Sequence, residues 1–308
     1  MACKFYKASA PGSLMLMGEH AVLHGFPAIV SAIDKSIHVE LKELDEPLLN
    51  IDSALGHKTY FLNALAIEKP FQFILGAVIY FLPQIKKGLA ITVESEFSHT
   101  LGLGSSASIT VAMVAVLHRY LNINDREQLF VDARAIMRKV QGRGSGADIA
   151  ASTFGGTVYY RQKDNTHEQL PHNPLLLLSY CGYKTPTTEV IAHLEKCFEN
   201  DRDRLNRYYR EIAELTEAGR AAIQNKDWKK LGELFSKHRK VMKQMGLETP
   251  ELTKVIDVLL EIDQVWGAKI SGSGLGDCAV AIRGPLCKAY DKIESIIPVM
   301  ITKKGVKY

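Results

Sequence analysis

One stretch of the chain combines glycines with hydroxyl residues in a spacing that could hold a phosphate. Glycines let the backbone approach an anion closely, and the free amides at the amino end of a helix favour negative charge. The two serine hydroxyls could bond a phosphate oxygen or ligate Mg²⁺. A glycine turn with serine caps has the same pattern, so both interpretations stay open at this point. The stretch consists of Leu101, Gly102, Leu103, Gly104, Ser105, Ser106 and Ala107.

A second glycine-rich loop, residues 142–148, carries a single carboxylate. Asp148 follows three glycines that allow a tight backbone path, and it precedes a run of small residues that ends at Thr153. A carboxylate in this place can cap a helix or accept a proton from a reacting hydroxyl. The loop alone favours the cap.

Two further groups of residues are candidates for a site. Glu19 and His20 are adjacent among apolar neighbours, just after a predicted strand and before a glycine. Each alone is typical of a solvated turn, but together they could place or polarise a substrate. A third glycine-rich element, residues 271–276, follows a short apolar stretch and leads into a strand at 278–282.

The elements around the first loop suit an anion site. Alternating apolar residues at Leu89, Ile91 and Val93 predict a strand, and the apolar spacing from Ile109 to Tyr120 predicts a helix. A strand, a glycine turn and a helix start in this order present backbone amides to a bound anion. Upstream, a strand from residue 5, a turn at Pro11-Gly12 and a second strand at 14–17 predict a β-rich region.

The remaining patterns predict helices. An apolar helix over 71–82 is too short to cross a bilayer, and Asn124 is the predicted cap of a helix that extends to Val140. A polar segment at 162–173 with two prolines is the predicted domain boundary, which divides the chain into residues 1–165 and 166–308. A length of 308 residues favours two domains. Four helices are predicted beyond the boundary, near 188–199, 202–224, 227–244 and 251–264.

The composition is typical of a globular enzyme, with 46% apolar and 23% charged residues. A formal net charge of +4 is too balanced to predict a nucleic-acid partner. Five scattered cysteines without a C-x-x-C pair favour reduced thiols over disulfides or a zinc site. The first residues lack the pattern of a signal peptide and no membrane span is predicted, so the expected location is cytoplasmic.

Three motifs of this chain, taken in order along the sequence, resemble those of the GHMP small-molecule kinases. The motif nearest the amino terminus, residues 18–25, is most similar to that of mevalonate kinases. Together the motifs span nearly the whole chain. The residues that carry the resemblance are Ala10-Pro11-Gly12, Gly18-Glu19-His20-Ala21-Val22-Leu23-His24-Gly25, Gly102-Leu103-Gly104-Ser105-Ser106-Ala107 and Ile270-Ser271-Gly272-Ser273-Gly274-Leu275-Gly276.

The resemblance implies an α+β fold of two domains, the GHMP kinase fold. Its N-terminal domain is like ribosomal S5 domain 2, its C-terminal domain is ferredoxin-like, and the site lies in the cleft between them. It implies ATP over the first loop, Mg²⁺ held partly by Ser106, and Asp148 as the catalytic base. It places Glu19, His20 and Thr187 near the acceptor and makes Lys184 the expected counter-ion of a substrate carboxylate.

The implied reaction is ATP-dependent phosphorylation of the 5-hydroxyl of mevalonate, in isoprenoid precursor biosynthesis. A homodimer is expected because family members are often dimers. Two alternatives stay open, namely a related kinase with another acceptor such as phosphomevalonate, and a nucleotide-binding protein with little catalysis.

The sequence departs from the family pattern at several positions. Ser13 occupies the place of a lysine that pairs with the catalytic aspartate, and Met137 occupies the place of a metal-binding glutamate. The first loop also lacks a preceding proline and a first glycine, with Ser98 and Thr100 there instead. Arg143, on the same loop as Asp148, could supply the missing positive charge as a second catalytic residue, or it could be a solvated arginine. Lys7 is farther along the chain from Ser13 and is a poorer candidate.

Overall fold

The structure is a computed structural model that describes residues 4–98, 100–142, 144–287 and 296–308. In the first half of the chain, period-two alternation of apolar residues produces strands and a 3.6-residue period produces helices. Their bounds are β1 (Phe5–Met17), β2 (Pro27–Leu44), β3 (Leu48–Ser53), β4 (Gly56–Phe61), α1 (Gln72–Phe81), β5 (Gly88–Ser95), α2 (Ser105–Tyr120), α3 (Arg126–Gln141), α4 (Ala147–Phe154), β6 (Thr157–Arg161) and β7 (Thr166–Gln169).

These strands form one seven-stranded sheet in the order β4-β3-β5-β2-β6-β7, with β1 paired to β2. The long strand β2 organises the sheet, since its residues 37–44 pair with β5 and its residues 27–31 pair with β6. Helices α2 and α4 pack on β1 and β2. Residues 111–117 of α2 are fully buried. This helix is apolar on all sides because α1, α3 and α4 also cover it.

In the second half of the chain, four strands pair antiparallel in the order β11-β8-β10-β9. Numbered by their sequence within this sheet the order is 4-1-3-2, which is the strand order of ferredoxin-like domains. Helices α7 and α8 pack on β9 and β10. The bounds are β8 (Leu175–Tyr180), α5 (Thr187–Cys197), α6 (Arg202–Gln224), α7 (Trp228–Gln244), α8 (Pro250–Leu260), β9 (Val265–Ser271), β10 (Cys278–Arg283) and β11 (Ile296–Ile297).

The observed elements confirm the α+β prediction and the four helices of the second half. They differ from the predicted elements at Pro11-Gly12 and at the start of α3. No turn breaks the first strand at Pro11-Gly12. Instead β1 continues through a register shift between Pro11 and Ser13, because pairing with β2 resumes beyond the irregularity. The cap of α3 is Asp125 rather than Asn124, since the Asp125 side chain accepts a hydrogen bond from the Gln128 amide.

The predicted domain boundary at residue 165 stays a proposal. It falls between two strands, β6 and β7, that belong to the same sheet. Strand β7 pairs with β6 in the first sheet. The end of the chain also returns to that sheet, where Lys307 bridges to Ser9 and Ile301 bridges to Ile33. The last residues therefore tie the two halves together.

Two composition-based expectations can be compared with the structure. Cys181, Cys197, Cys278 and Cys287 are free thiols, and Cys3 lies outside the described residues. Across the ranges that the structure describes, every helix is too short or too polar to pass through a bilayer.

Candidate active site

A cavity of about 630 Å³ lies where the two halves of the chain meet. Its wall is formed by the first glycine loop, the loop before α4, the start of α5 and the third glycine motif. A volume of this size is typical of small-molecule sites. The fold therefore brings the separate motifs of the sequence to one place.

The amino end of α2 supplies an anion cradle. Gly104 precedes the helix in the left-handed conformation (φ 67°). The first hydrogen bond of the helix is donated by the Ser108 amide to the Gly104 carbonyl at 3.0 Å. The amides of residues 105–107 therefore have no partner within the helix, and no described side chain caps it. The free amides and the helix dipole favour a phosphate here.

The predicted ATP-binding loop, residues 101–107, faces the cavity with only some of its residues. The residues that line the cavity are Gly102, Gly104, Ser105, Ser106 and Ala107. Leu103 is buried instead, and its carbonyl accepts the Ser13 amide at 3.0 Å. Leu101 is half-buried against the core. The two leucines thus anchor the loop, whereas the glycines and serines face the ligand space.

Two glycines of this loop permit close passage of other segments. A Cβ atom on Gly104 would lie 2.0 Å from Ser13 Oγ, and one on Gly102 would lie 1.8 Å from Asp277 Oδ1. Any side chain at either position would displace β1 or the third motif. Glycine is needed here for packing as well as for access to an anion.

Asp148 lies in the first turn of α4 and faces β1. Ser13 Oγ donates a hydrogen bond of 2.8 Å to Asp148 Oδ1. The carboxylate does not cap its helix, because α4 has no side-chain cap and begins after Gly146 (φ 89°). Burial raises the pKa of Asp148, while the Ser13 hydrogen bond and the charge of Lys184 moderate the rise. A base with a raised pKa accepts a proton more readily.

The loop before Asp148 is held from three sides. The Tyr160 hydroxyl donates to the Ser145 carbonyl at 2.8 Å, and Ser145 Oγ accepts the Ala147 amide at 3.2 Å. A Cβ on Gly146 would lie 2.7 Å from Arg134 Nε, so the loop also packs tightly on α3. These contacts position Asp148. The predicted Arg143 lies outside the described residues.

Glu19 belongs to a buried ionic cluster that joins the two halves. The Lys269 ammonium pairs with Glu19 Oε1, and His238 Nε2 lies 3.2 Å from Glu19 Oε2. All three side chains are almost completely buried. Lys269, from the second half of the chain, therefore compensates the charge of Glu19 at Oε1. His238 Nε2 accepts the Gly18 amide at 3.4 Å, and Glu19 Oε2 makes no hydrogen bond within the described residues. Glu19 also borders the cavity.

Burial dominates the electrostatics of this cluster. It raises the pKa of Glu19, and the neighbouring Lys269 charge opposes the rise. It lowers the pKa of Lys269 and holds the pKa of His238 well below its usual range. His238 is consequently neutral beside a Glu19–Lys269 pair. Removing one partner of such a pair leaves an uncompensated buried charge.

Lys269 and His238 were not predicted from the sequence. Lys269 is a cation within the otherwise apolar strand β9, directly before the third glycine motif. His238 occupies a buried position on α7, on the same face as Leu234 and Val241. A charged or titratable residue within an apolar pattern is the signal that could have indicated them.

His20 links the first motif to the third. Its backbone is left-handed (φ 61°), and Nε2 lies 2.8 Å from the Ser273 carbonyl. A carbonyl only accepts, so Nε2 carries the proton. Burial lowers the pKa of His20 to about 4, so the ring is neutral at physiological pH. Its side chain lines the cavity.

Thr187 is the first residue of α5 and Lys184 lies three residues before it, and both line the cavity wall. The Lys184 Nζ is 3.5 Å from Asp277 Oδ2. Asp277 is 5% exposed and was not predicted, although it directly follows the third glycine motif. Burial raises the pKa of Asp277, and the Lys184 charge opposes the rise. The predicted counter-ion of the substrate thus has a protein carboxylate as its neighbour.

The donor atoms in the cavity suit Mg²⁺. Ser106, Asp148 and Asp277 offer oxygen ligands, which Mg²⁺ prefers, whereas the thioether of Met137 on the same wall does not suit this ion. Within the described ranges no three acidic, histidine or cysteine side chains form a metal cluster. A complete protein cage is not required, because Mg²⁺ usually binds through one or two carboxylates together with substrate phosphates.

An amide cradle for phosphate and a carboxylate of raised pKa in one cavity define a small-molecule kinase. The sequence profile of the GHMP kinases N terminal domain matches residues 72–156, and that of the GHMP kinases C terminal matches residues 220–285. A mevalonate kinase of Archaeoglobus fulgidus is 31% identical over 88% of this chain and 90% of its own length. The chain belongs to the GHMP kinase family and is an ATP-dependent phosphotransferase that acts on an alcohol group.

Other relatives are similar over nearly their whole length. A mevalonate kinase of Saccharolobus solfataricus is 28% identical over 97% of this chain and 98% of its own. The structure of the L. major mevalonate kinase in complex with R-mevalonate superimposes with a TM-score of 0.79 at 22% identity, over 98% of each chain. This likeness confirms the two-domain fold that the sequence predicts.

Proposed function

We propose that this kinase transfers the γ-phosphoryl group of ATP to the 5-hydroxyl of mevalonate. The observation that carries the proposal is the Asp148 carboxylate, which Ser13 orients within the same cavity as the amides of residues 105–107. The acceptor is supported by the relatives, since the enzymes at 28% and 31% identity are mevalonate kinases. Both relatives match over most of this chain.

Different groups of the site bind the phosphates and accept the proton. The amides at the start of α2 bind the ATP phosphates, and Asp148 accepts the proton of the attacking hydroxyl. Among the described residues Ser13 bonds Asp148 at Oδ1, and we assign the proton to Oδ2. The new bond joins the hydroxyl oxygen to the γ-phosphorus, the bridging oxygen leaves with ADP, and Asp148 holds the proton. Mg²⁺, held by Ser106 and a cavity carboxylate, would neutralise the phosphate charge when bound.

The acceptor end of the cavity is built from both halves of the chain. His20 and Thr187 line it, and Glu19 borders it with its carboxylate paired to Lys269. Glu19 therefore shapes the acceptor site chiefly by fixing the segment that carries His20. Since positioning is the main need of phosphoryl transfer, this indirect role is sufficient.

The test is ADP release from Mg·ATP with a panel of hydroxyl acceptors that includes mevalonate, phosphomevalonate and galactose. We expect release with mevalonate and its loss in Asp148→Asn. Asp203→Asn is the matched control, because Asp203 is also an acidic residue in a first helical turn but is exposed. Release with phosphomevalonate alone would overturn the acceptor assignment. ATP binding without transfer to any acceptor would identify a binding protein instead.

Two further expectations from the family belong to the proposal. We expect a homodimer and a cytoplasmic location. Light scattering on the purified protein at several concentrations measures the first, and fractionation of the source cells measures the second. A mass equal to the 34.2 kDa chain at every concentration would contradict the dimer.

A further inference from the structure

The reacting centre needs positive charge that its nearest hydrogen-bond donor does not supply. Ser13, the partner of Asp148 at 2.8 Å, is a neutral hydroxyl. Phosphoryl transfer brings the charge of ATP to a buried carboxylate, and preorganised cations are the usual means of stabilising the transferring group. Arg143 lies outside the described residues, and among those that the structure describes the candidate cations are the lysines of the cavity wall.

Lys184 is placed to do this. Its side chain is 33% exposed and lines the cavity together with Gly102, Ser106 and Asp148. Within the described part of the chain, its charge opposes the rise that burial causes in the pKa of Asp148. Lys69 lines the cavity as well, but it lies beside Glu68 and precedes α1, and it does not contribute to the pKa of Asp148. Of the two described lysines on the cavity wall, Lys184 is therefore the better placed.

Backbone hydrogen bonds hold the segment that carries Lys184 against the third glycine motif. The Asp277 amide donates to the Tyr183 carbonyl at 2.7 Å, and the Cys181 amide donates to the Asp277 carbonyl at 3.0 Å. The Thr185 hydroxyl also donates to the Leu275 carbonyl at 2.5 Å. The position of Lys184 is consequently determined by residues 275–277, which lie almost 100 residues away in the sequence.

Asp277 completes this arrangement. Its Oδ2 faces Lys184 Nζ at 3.5 Å, and its Oδ1 makes no hydrogen bond within the described residues and lies against Gly102 of the phosphate loop. An anion so near a phosphate cradle would repel ATP unless a cation lay beside it. The Lys184 ammonium is that cation, and the pair directs it toward the cradle.

We propose that Lys184 is a catalytic residue that supplies positive charge to the transferring phosphoryl group and to Asp148, and that Asp277 is the residue that positions it. The inference rests on the proposed kinase function and changes the role expected of Lys184 from substrate counter-ion to transition-state cation. It also accounts for the buried carboxylate at the end of the third motif.

The central test is a double-mutant cycle with Lys184→Met, Asp277→Asn and the double variant. We expect kcat to fall roughly 100-fold in Lys184→Met, as when one preorganised charge donor is removed, and about 10-fold in Asp277→Asn. The double variant should be no slower than Lys184→Met alone, because Asp277 acts through Lys184. Lys184→Arg should retain more activity than Lys184→Met, and Lys196→Met, an exposed lysine of α5, is the control.

A neutral acceptor separates this role from substrate binding. The probe is the triol in which an alcohol replaces the carboxylate of mevalonate. A transition-state cation predicts the same loss of kcat in Lys184→Met with both acceptors. A raised KM for mevalonate, with unchanged kcat and no effect on the triol, would show that Lys184 binds the substrate carboxylate and would overturn the inference.

A titration that needs no turnover distinguishes failure of this inference from failure of the proposed function. The carboxyl pKa of Asp148 is measured by NMR with ¹³C-labelled aspartate, assigned through Asp148→Asn. Loss of Lys184 should raise it, because a nearby positive charge stabilises the carboxylate. The other titratable side chains on the cavity wall are Glu19, His20, Glu68, Lys69 and Asp277. An unchanged pKa would overturn the inference whichever acceptor the enzyme uses.

The same variants distinguish the positioning role of Asp277 from binding of Mg²⁺. If Asp277 were a ligand of Mg²⁺, its substitution by asparagine would raise the Mg²⁺ concentration needed for half-maximal rate, and the loss would persist in the Lys184→Met background. That result would overturn the positioning role. Asparagine tolerates the left-handed backbone at this position (φ 80°), so Asp277→Asn is expected to fold.

Discussion

Asp148 and Glu19 are both acidic residues of the site motifs, and the fold uses them in opposite ways. Burial raises the pKa of each. Glu19 is paired with the Lys269 ammonium, whereas Asp148 accepts a hydrogen bond from the neutral Ser13 hydroxyl. The ion-paired carboxylate joins the two halves of the chain, and the other lines the cavity beside a neutral donor. A raised pKa alone therefore does not identify a catalytic acid or base.

The largest effect should be on the rate, at Asp148. Asp148→Asn should reduce kcat by about 10²–10⁴-fold, since general-base assistance contributes that much. Its melting temperature should match or exceed that of the native protein, because a neutral amide is easier to bury. Steady-state kinetics and calorimetry measure the two quantities. Loss of folding in this variant would remove the contrast with Glu19.

At the buried cluster the effect should be on stability. Lys269→Met leaves the Glu19 charge buried without its partner and should lower the free energy of unfolding by about 3–5 kcal/mol. Urea denaturation measures it. The double variant with Glu19→Gln should be more stable than Lys269→Met alone, because the uncompensated charge is gone. If the double variant is the less stable of the two, the ion pair does not explain the loss.

His20 makes the stability of the same region depend on pH. Its pKa is about 4 in the folded protein and near 6.5 when unfolded, so the unfolded chain binds more protons between these values. The stabilisation is complete above pH 6.5 and decreases as the pH falls toward 4, by roughly 3 kcal/mol in total. Denaturation midpoints in His20→Gln should show a smaller pH dependence. The control is His193→Gln, which replaces an exposed histidine. The denaturation midpoints of this variant should depend on pH as those of the native protein do.

The smallest expected effect is at Ser13. Ser13→Ala removes the hydrogen bond to Asp148 and should reduce kcat roughly 10-fold, as expected for one bond to a charged group. The apparent pKa of the base should rise in the pH profile of kcat, because the Ser13 bond favours the ionised carboxylate. A lower apparent pKa would show that Ser13 does not stabilise the charged form. Ser9→Ala, in the same strand but bridged to the end of the chain through its backbone, is the control.

Local patterns predicted a large part of this molecule. Apolar periodicity located α1, α2 and the helices of the second half, and glycine loops before helices located two turns that line the cavity. The segment at 45–69 has a mixed pattern that predicts no element, and its residues 48–61 form the β3–β4 hairpin. Strand β4 lies at the edge of the sheet and has no buried residue. Its sequence is therefore not constrained to alternate apolar and polar residues.

The sequence by itself determined the motifs, their order and the residue types that phosphoryl transfer requires. Only the tertiary structure decided which of those residues face one another. Lys269 became the partner of Glu19, and Asp277 became the partner of Lys184, through contacts between residues far apart in the chain. The physical reason is that period and propensity act over a few residues, whereas a buried charge must find its partner wherever the fold places one.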